Sequence, residues 1–150
     1  MCLLHWQPPD EENDELEVSG LTTQQIIRRV QEGAWETFAK EHWNLNRRGV
    51  FRQSRTPLNV LLSWKPDVLG AALLKNVPPE LEPYALKLSK RILTIMGDKE
   101  TSRPLDDLAR SLIEIVLLSA QQITDEAYCQ ICKQLRGNPS EEGTQRGWQL

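Results

Sequence analysis

Apolar residues recur at intervals of three and four along most of the chain, a spacing that places their side chains on one face of an α-helix. Capping residues and helix breakers divide this pattern into successive helices joined by short connectors. The predicted helix starts are, in chain order, Thr22, Pro57, Pro79 or Glu80, Pro104, Thr124 and Ser140, with one further helical turn at residues 68–73. No strand pair, hairpin turn or internal repeat is evident. The sequence therefore predicts an all-α fold, a compact multi-helix bundle.

Two long apolar stripes predict much of the core. The helix that begins near Pro79 carries Leu81, Tyr84, Ala85, Leu88, Ile92 and Ile95. The helix that begins at Pro104 carries Leu105, Leu108, Ala109, Leu112, Ile113 and Val116. Residues 115–118 are all apolar, so the end of this second helix is expected to lie centrally in the packing. Trp35 and Phe38, in the first helix, are also predicted to be core residues.

The helix that follows Thr124 has the most complete set of start and stop signals. The Thr124 hydroxyl is a suitable N-cap, and Asp125 and Glu126 follow in the predicted first turn, where acidic side chains favour the helix dipole. Gly137 predicts the end of this helix, and Gly97 the end of an earlier one, because glycine adopts the left-handed conformation at C′ without steric cost. The predicted buried face consists of Tyr128, Ile131, Cys132 and Leu135.

Charge is distributed unevenly along the chain. Residues 1–17 contain six acidic residues and no Lys or Arg, which leaves 15 of the 21 acids against all 18 bases in the remainder. A segment this acidic and this poor in apolar residues buries too little surface to offset its ordering entropy. Residues 1–20 are therefore expected to form a disordered acidic leader, and residues 21–150 the folded and mildly basic domain.

Two groups of basic residues are candidate contacts for an acidic partner. The first group is Arg47, Arg48, Arg52 and Arg55, with no acid between them, and the second is Lys87, Lys90 and Arg91. The first group is compatible either with a solvated loop or with a surface that faces an anion. Neither is accompanied by a nucleic-acid-binding motif, so no nucleic-acid partner is expected.

The sequence offers little support for catalysis or for a cofactor. Cys129 and Cys132 form a CxxC pair, but a zinc site needs four ligands, and neither a second CxxC nor a His pair accompanies them. Because the pair lies inside a predicted helix, both cysteines are expected to be packing residues, with a redox or metal protein as the alternative. No phosphate-binding glycine motif is present, and no apolar run approaches the roughly 20 residues that span a bilayer. Three cysteines favour a reducing cytoplasm over a secreted disulfide framework.

The C-terminal stretch resembles the signature of the myosin tail homology 4 (MyTH4) domain, which reads D-E-x-Y-x-Q-x-x-K-Q, then N-P, then R-G-W. The matching residues are Asp125, Glu126, Tyr128, Gln130, Lys133, Gln134, Asn138, Pro139, Arg146, Gly147 and Trp148. Upstream similarities, such as an M-G-D helix end at residues 96–98, extend the resemblance over residues 35–150. The family continues through further helices after R-G-W, so the domain is expected to be incomplete at its C-terminus.

The resemblance implies a non-catalytic interaction module without a cofactor. Such domains occur in unconventional myosins, a plant kinesin, pleckstrin-homology proteins and a Rho GTPase-activating protein, usually with a FERM domain. They bind cargo tails or microtubules. Of these hosts, the resemblance favours a class VII or class XV unconventional myosin, and it implies a location in the cytoplasm and on the cytoskeleton. An inactive fragment of a GTPase-activating or kinesin-like host is the alternative.

The signature also predicts specific contacts. Arg146 is expected to form a partly buried pair with Asp125 or Glu126. Gly147 is expected to allow close approach of two helices, with Trp148 filling the gap beside it.

Overall fold

The computed structural model describes residues 23–45 and 58–150. The acidic leader and four of the candidate contacts, Arg47, Arg48, Arg52 and Arg55, lie outside the described residues. The helices in the described parts are α1 (Thr23–His42), α2 (Leu58–Leu61), α3 (Glu82–Ile95), α4 (Leu105–Leu117), α5 (Gln121–Leu135) and α6 (Glu141–Trp148). These parts contain no β-strand, only an isolated bridge between Trp43 and Leu74, so the all-α prediction is confirmed.

The chain divides into two compact units, residues 1–35 and 36–150. In the first unit the described residues form the N-terminal part of α1, and Trp35 is half-buried. The second unit contains α2 to α6, and within it α3 packs against α4, α5 and α6. Its hydrophobic core is built from Ala72, Ala85, Leu88, Ile92, Ile95, Met96, Leu108, Leu112, Ile123 and Ala127.

The sequence signals at Gly97, Gly137 and Ser140, each at a helix end, are confirmed. Gly97 and Gly137 have φ angles of +90° and +66°, as expected for residues that stop a helix. After α3 the Asp98 amide donates to the Leu93 carbonyl at 2.8 Å and the Gly97 amide donates to the Thr94 carbonyl at 3.2 Å, which together form a Schellman motif. The Ser140 hydroxyl accepts from the Gly143 amide at 2.9 Å and caps α6.

The predicted start of α5 is wrong, and its predicted buried face is wrong in part. The helix begins at Gln121, so Thr124 lies inside it and Asp125 and Glu126 are not in its first turn. Burial of Ile123, which is completely enclosed, stabilises an earlier start than the Thr124 cap would give. Tyr128 is 67% exposed and Cys132 is exposed, whereas Ile131 and Leu135 are half-buried and pack against the core as predicted.

Two further packing predictions are wrong. The end of α4 is not central, because only Leu108 and Leu112 of this helix are buried, whereas Leu117 and Leu118 are 75% and 87% exposed. Phe38 lies at the surface, and Ala39 and Trp43 take the core positions expected for it. In both cases the helix was predicted correctly, but its rotation depends on the neighbouring helices.

Candidate functional site

The buried face of α5 is largely polar. Glu126, Gln130, Lys133 and Gln134 are spaced so that they share one side of the helix, and none is more than 4% exposed. Polar groups are costly to bury unless they form hydrogen bonds, and a charge is costlier still. The hydrogen-bond partners of these four side chains therefore indicate the role of this polar face.

Glu126 binds the backbone of a distant segment. Its two carboxylate oxygens accept from the Leu73 amide at 2.7 Å and the Leu74 amide at 2.8 Å. One of these oxygens also accepts from the Gln130 side-chain amide at 2.8 Å, and the same amide donates to the Ala85 carbonyl of α3 at 3.0 Å. A completely buried carboxylate thus has three donors, enough to satisfy its charge.

Lys133 and Gln134 hold the same segment further along the helix. The Lys133 ammonium donates to the Ser63 carbonyl at 2.6 Å. The Gln134 side-chain oxygen accepts from the Lys65 amide at 3.2 Å. Glu126, Lys133 and Gln134 therefore bind the main chain of residues 62–75, which we call the strap. Gln130 supports them by donating to Glu126 and to the Ala85 carbonyl of α3.

Side chains from other elements complete the attachment of the strap. Ser89 of α3 accepts from the Leu69 amide at 3.0 Å, and Glu82 accepts from the Ala72 amide at 3.3 Å. Beyond the end of α1, the Asn44 side chain donates to the Ala72 carbonyl at 3.2 Å. Side chains form hydrogen bonds with backbone groups of the strap, so these groups need no partners from a helix or a sheet. The helical turn predicted at residues 68–73 is absent.

Trp64 anchors the strap to the end of α3. Its indole N–H lies 3.0 and 3.1 Å from the two Asp98 carboxylate oxygens. Partial burial raises the pKa of Asp98 above its ordinary value, and the hydrogen bond from Trp64 opposes that shift.

Sequence reasoning missed Glu82, Ser89 and Asp98 as partners of the strap. The available signal was a polar residue, Ser89, next to the apolar stripe of α3.

The predicted pairing of Arg146 is wrong. Its guanidinium binds Glu142, one turn earlier in α6, and donates to the Ile95 carbonyl at 3.4 Å. Glu126 is unavailable because the strap encloses it, and Asp125 lies on the exposed side of α5, where it accepts from Gln121 at 3.0 Å. Arg146 therefore completes the C-terminal end of α3, where the helix dipole favours a cation.

The close approach predicted at Gly147 is present. A Cβ built on Gly147 would lie 2.8 Å from side-chain atoms of Leu135 and Met96, so α6 packs against its neighbours so closely that any other residue would displace the ends of these two side chains. Trp148, however, is 76% exposed and does not fill this gap. The close packing of α6 therefore results from the absence of a side chain at Gly147 and not from Trp148.

The two cysteines of α5 differ in environment. Cys129 is buried, and its enclosure, together with the nearby charge of Glu126, raises its pKa to about 12. Cys132 is exposed as a residue, against the prediction that both would pack. Its thiol is still partly shielded from water, which raises its pKa as well.

Residues 23–45 and 58–150 contain no group of three or more His, Cys, Asp or Glu that could hold a metal ion. The geometry gives no support to a thiolate nucleophile.

Thiol labelling tests this assignment. In a Cys2→Ser chain, brief treatment with N-ethylmaleimide at neutral pH should modify Cys132 and leave Cys129 unmodified until the protein is unfolded, because only the Cys132 sulfur is accessible. Intact-mass analysis would count the adducts, and a further Cys132→Ser change should remove the fast adduct. Rapid modification of Cys129 in the folded chain would revive the redox interpretation.

The α3 face is the part of the predicted basic surface that the structure describes, and it consists of Tyr84, Lys87, Lys90 and Arg91. Lys87 and Lys90 are exposed and Arg91 is half-buried. The Lys87 ammonium lies 5.4 Å from the centroid of the Tyr84 ring, which is a cation–π distance. Three cations and an aromatic ring thus lie within about two turns of one helix. No helix among the described residues is long and apolar enough to cross a membrane.

The chain is similar in sequence to known proteins. Residues 109–150 match the sequence model of a family described as the MyTH4 domain. The high molecular weight form of myosin-1 from Acanthamoeba castellanii is 44% identical over 102 residues, which are 68% of this chain and 6% of that protein. Human unconventional myosin-XVB is 33% identical over 75 residues, which are 50% of this chain and 2% of that protein.

A solved structure extends the similarity to the fold. The C-terminal MyTH4-FERM domain of human myosin 7b, in complex with the harmonin-a PDZ3 domain, has a TM-score of 0.60 and 29% identity. The match covers 76% of this chain and 22% of that one. The chain therefore spans a small part of the length of each protein that it matches.

Proposed function

The chain belongs to the MyTH4 family, whose members in myosin tails are non-catalytic modules that bind partner proteins, and we propose that this one binds an acidic protein surface through the α3 face. The observation that carries the proposal is the exposure of Lys87 and Lys90 beside Arg91 on one side of α3. Clustered cations of this kind attract an acidic surface over distance and select against a basic one.

The polar face of α5 is excluded as a contact surface, which supports the choice of the α3 face. Glu126, Gln130, Lys133 and Gln134 are the most conspicuous polar residues of the signature, and each forms a hydrogen bond with the chain's own backbone. All four side chains are enclosed, so they are not free to contact a partner. A partner must therefore use exposed residues, and the α3 face is a compact cationic cluster among those described.

The choice of acidic partner rests on the resemblance to the family. We propose microtubules or an acidic cargo tail, with Arg47, Arg48, Arg52 and Arg55 as a second contact group. We also propose that the parent is an unconventional myosin of the class VII or class XV type, that it contains a FERM domain, and that it acts in the cytoplasm on the cytoskeleton. The matches to two myosins and to a MyTH4-FERM structure support this host.

Microtubule co-sedimentation tests the proposal. The Lys87→Glu/Lys90→Glu variant should bind about tenfold more weakly than the unaltered chain, because two attractive contacts become repulsive. The matched control, Arg103→Glu/Arg110→Glu, makes the same charge change at exposed positions outside the α3 face and should change binding by no more than about twofold. Raising the salt concentration should weaken binding of the unaltered chain.

Two outcomes would contradict the proposal. One is pelleting that is absent, or that is insensitive both to salt and to the Lys87→Glu/Lys90→Glu change. The other is loss of binding only when Arg47, Arg48, Arg52 and Arg55 are replaced by Glu, which would place the contact elsewhere than on α3.

A further inference from the structure

Helix α4 has apolar side chains on two faces, and the described residues cover only one of them. Leu108 and Leu112 are buried against the core. On the outward side Ile113 is 52% exposed, Leu117 is 75% exposed and Leu118, at the end of the helix, is 87% exposed. Residues 115–118, at the end of the helix, are all apolar, and such a stretch is typical of one packed on both sides.

Three exposed apolar residues and the half-buried Ala109 have the geometry of a helix-packing surface. Leu105, Ala109, Ile113 and Leu117 follow one another at four-residue intervals, and such a row forms a continuous ridge about 18 Å long. Ridges of this type pack into the groove between corresponding rows on another helix. We call this ridge, with Leu118, the α4 ridge.

Charges beside the α4 ridge indicate what kind of helix would fit. The exposed polar residues of α4 are Asp106, Asp107, Arg110 and Glu114, three acids and one base. Glu114 lies in the most exposed part of the ridge, and no side chain in the described parts of the chain forms an ion pair with it. The C-terminal carbonyls of α4 add negative potential at the same end.

We infer that the α4 ridge binds an amphipathic α-helix of a partner protein, apolar on the contact side and lined with Lys or Arg along its flank. The apolar side would cover Ile113, Leu117 and Leu118, and the basic flank would meet Glu114 and the helix end. This surface is distinct from the α3 face, because it selects a basic helix where the α3 face selects an acidic surface.

Three fluorescein-labelled peptides of 18 residues, measured by fluorescence anisotropy on the full chain, test the inference. The first has Leu on one helical face and Lys on its flanks, the second has Glu in place of Lys, and the third keeps Lys but has Gln in place of Leu. The first should bind the chain, and the other two should bind roughly tenfold more weakly or not at all.

Two pairs of chain variants locate the contact. Leu117→Ser should weaken binding of the first peptide roughly tenfold, whereas Val68→Ser, at another exposed apolar residue, should not. Glu114→Lys should weaken it, whereas Glu80→Lys, at an exposed residue outside the ridge, should not. Leu117 and Glu114 are both exposed, so circular dichroism should show that all four variants remain folded.

Several results would overturn the inference. Equal binding of all three peptides would show that neither the apolar face nor the basic flank is recognised, and binding unaffected by Leu117→Ser would place the peptide elsewhere. Sedimentation velocity tests whether the α4 ridge instead binds a second copy of the chain. A dimer of the unaltered chain that Leu117→Ser dissociates would assign the α4 ridge to a second copy of the chain and not to a partner's helix.

Discussion

Replacing Glu126 with Gln is expected to lower the free energy of unfolding by about 3 kcal/mol. The carboxylate uses one oxygen for the Leu73 amide and the other for the Leu74 amide, so a glutamine would direct its own NH₂ group at one of these donors. Removing a buried charge would by itself favour folding. That gain is outweighed, because the native carboxylate is fully hydrogen-bonded and the amide would leave a buried N–H without an acceptor.

Urea denaturation followed by circular dichroism measures this effect. Asp125→Asn is the matched control, since Asp125 is exposed on the neighbouring position of the same helix, and it should change stability by less than about 0.5 kcal/mol. Equal effects of the two substitutions would show that Glu126 has no special role in holding the strap.

Replacing Gly143 with Ala is expected to lower the free energy of unfolding by about 2 kcal/mol. An added Cβ would lie 2.7 Å from the Met96 carbonyl oxygen, a backbone atom at the end of α3 that cannot move without disturbing the helix. The same substitution at Gly147 should cost less, because the atoms 2.8 Å away are the flexible ends of the Leu135 and Met96 side chains.

Gly33→Ala is expected to change the free energy of unfolding in the opposite direction. Nothing lies within 4 Å of a Cβ at Gly33, which is inside α1, so this substitution should stabilise the protein by about 0.5 to 1 kcal/mol. Thermal or urea unfolding of the three glycine variants should therefore rank Gly33→Ala highest, Gly147→Ala next and Gly143→Ala lowest. A stable Gly143→Ala variant would contradict the tight contact between α6 and α3.

What the sequence predicted correctly was governed by local chemistry. The helical class, the stops at Gly97 and Gly137 and the Ser140 cap depend on residues within one or two turns. The Ser140 hydroxyl, for example, binds an amide only three residues away. Rules of capping and backbone conformation apply at this range unless burial extends a helix past its cap, as burial of Ile123 does at Thr124.

What the sequence did not predict depends on distant contacts. Glu126 was interpreted as a first-turn residue serving the helix dipole, yet its partner Leu73 is 53 residues away in the chain. Lys133 is likewise 70 residues from Ser63. No helical periodicity reveals that a polar stripe is buried, because the burial is caused by an irregular segment whose backbone provides the partners.

The candidate site was predicted in part for the same reason. Helical spacing correctly places Lys87, Lys90 and Arg91 on one helix, and their exposure follows from the apolar stripe opposite them. The orientation of α4 could not be predicted, because an apolar ridge is equally compatible with core and with interface. Only the three-dimensional arrangement separates Leu108 and Leu112, which are buried, from Leu117, which is not.

The polar face of α5 holds the strap by its main chain, and native-state hydrogen exchange measures this attachment residue by residue. The Leu73 and Leu74 amides lie in a segment without regular structure, yet both donate to the buried Glu126 carboxylate. They should exchange as slowly as the core amide of Ile92, with a free energy of opening close to that of global unfolding. Exchange of Leu73 and Leu74 as fast as that of the exposed Asn76 would contradict the account.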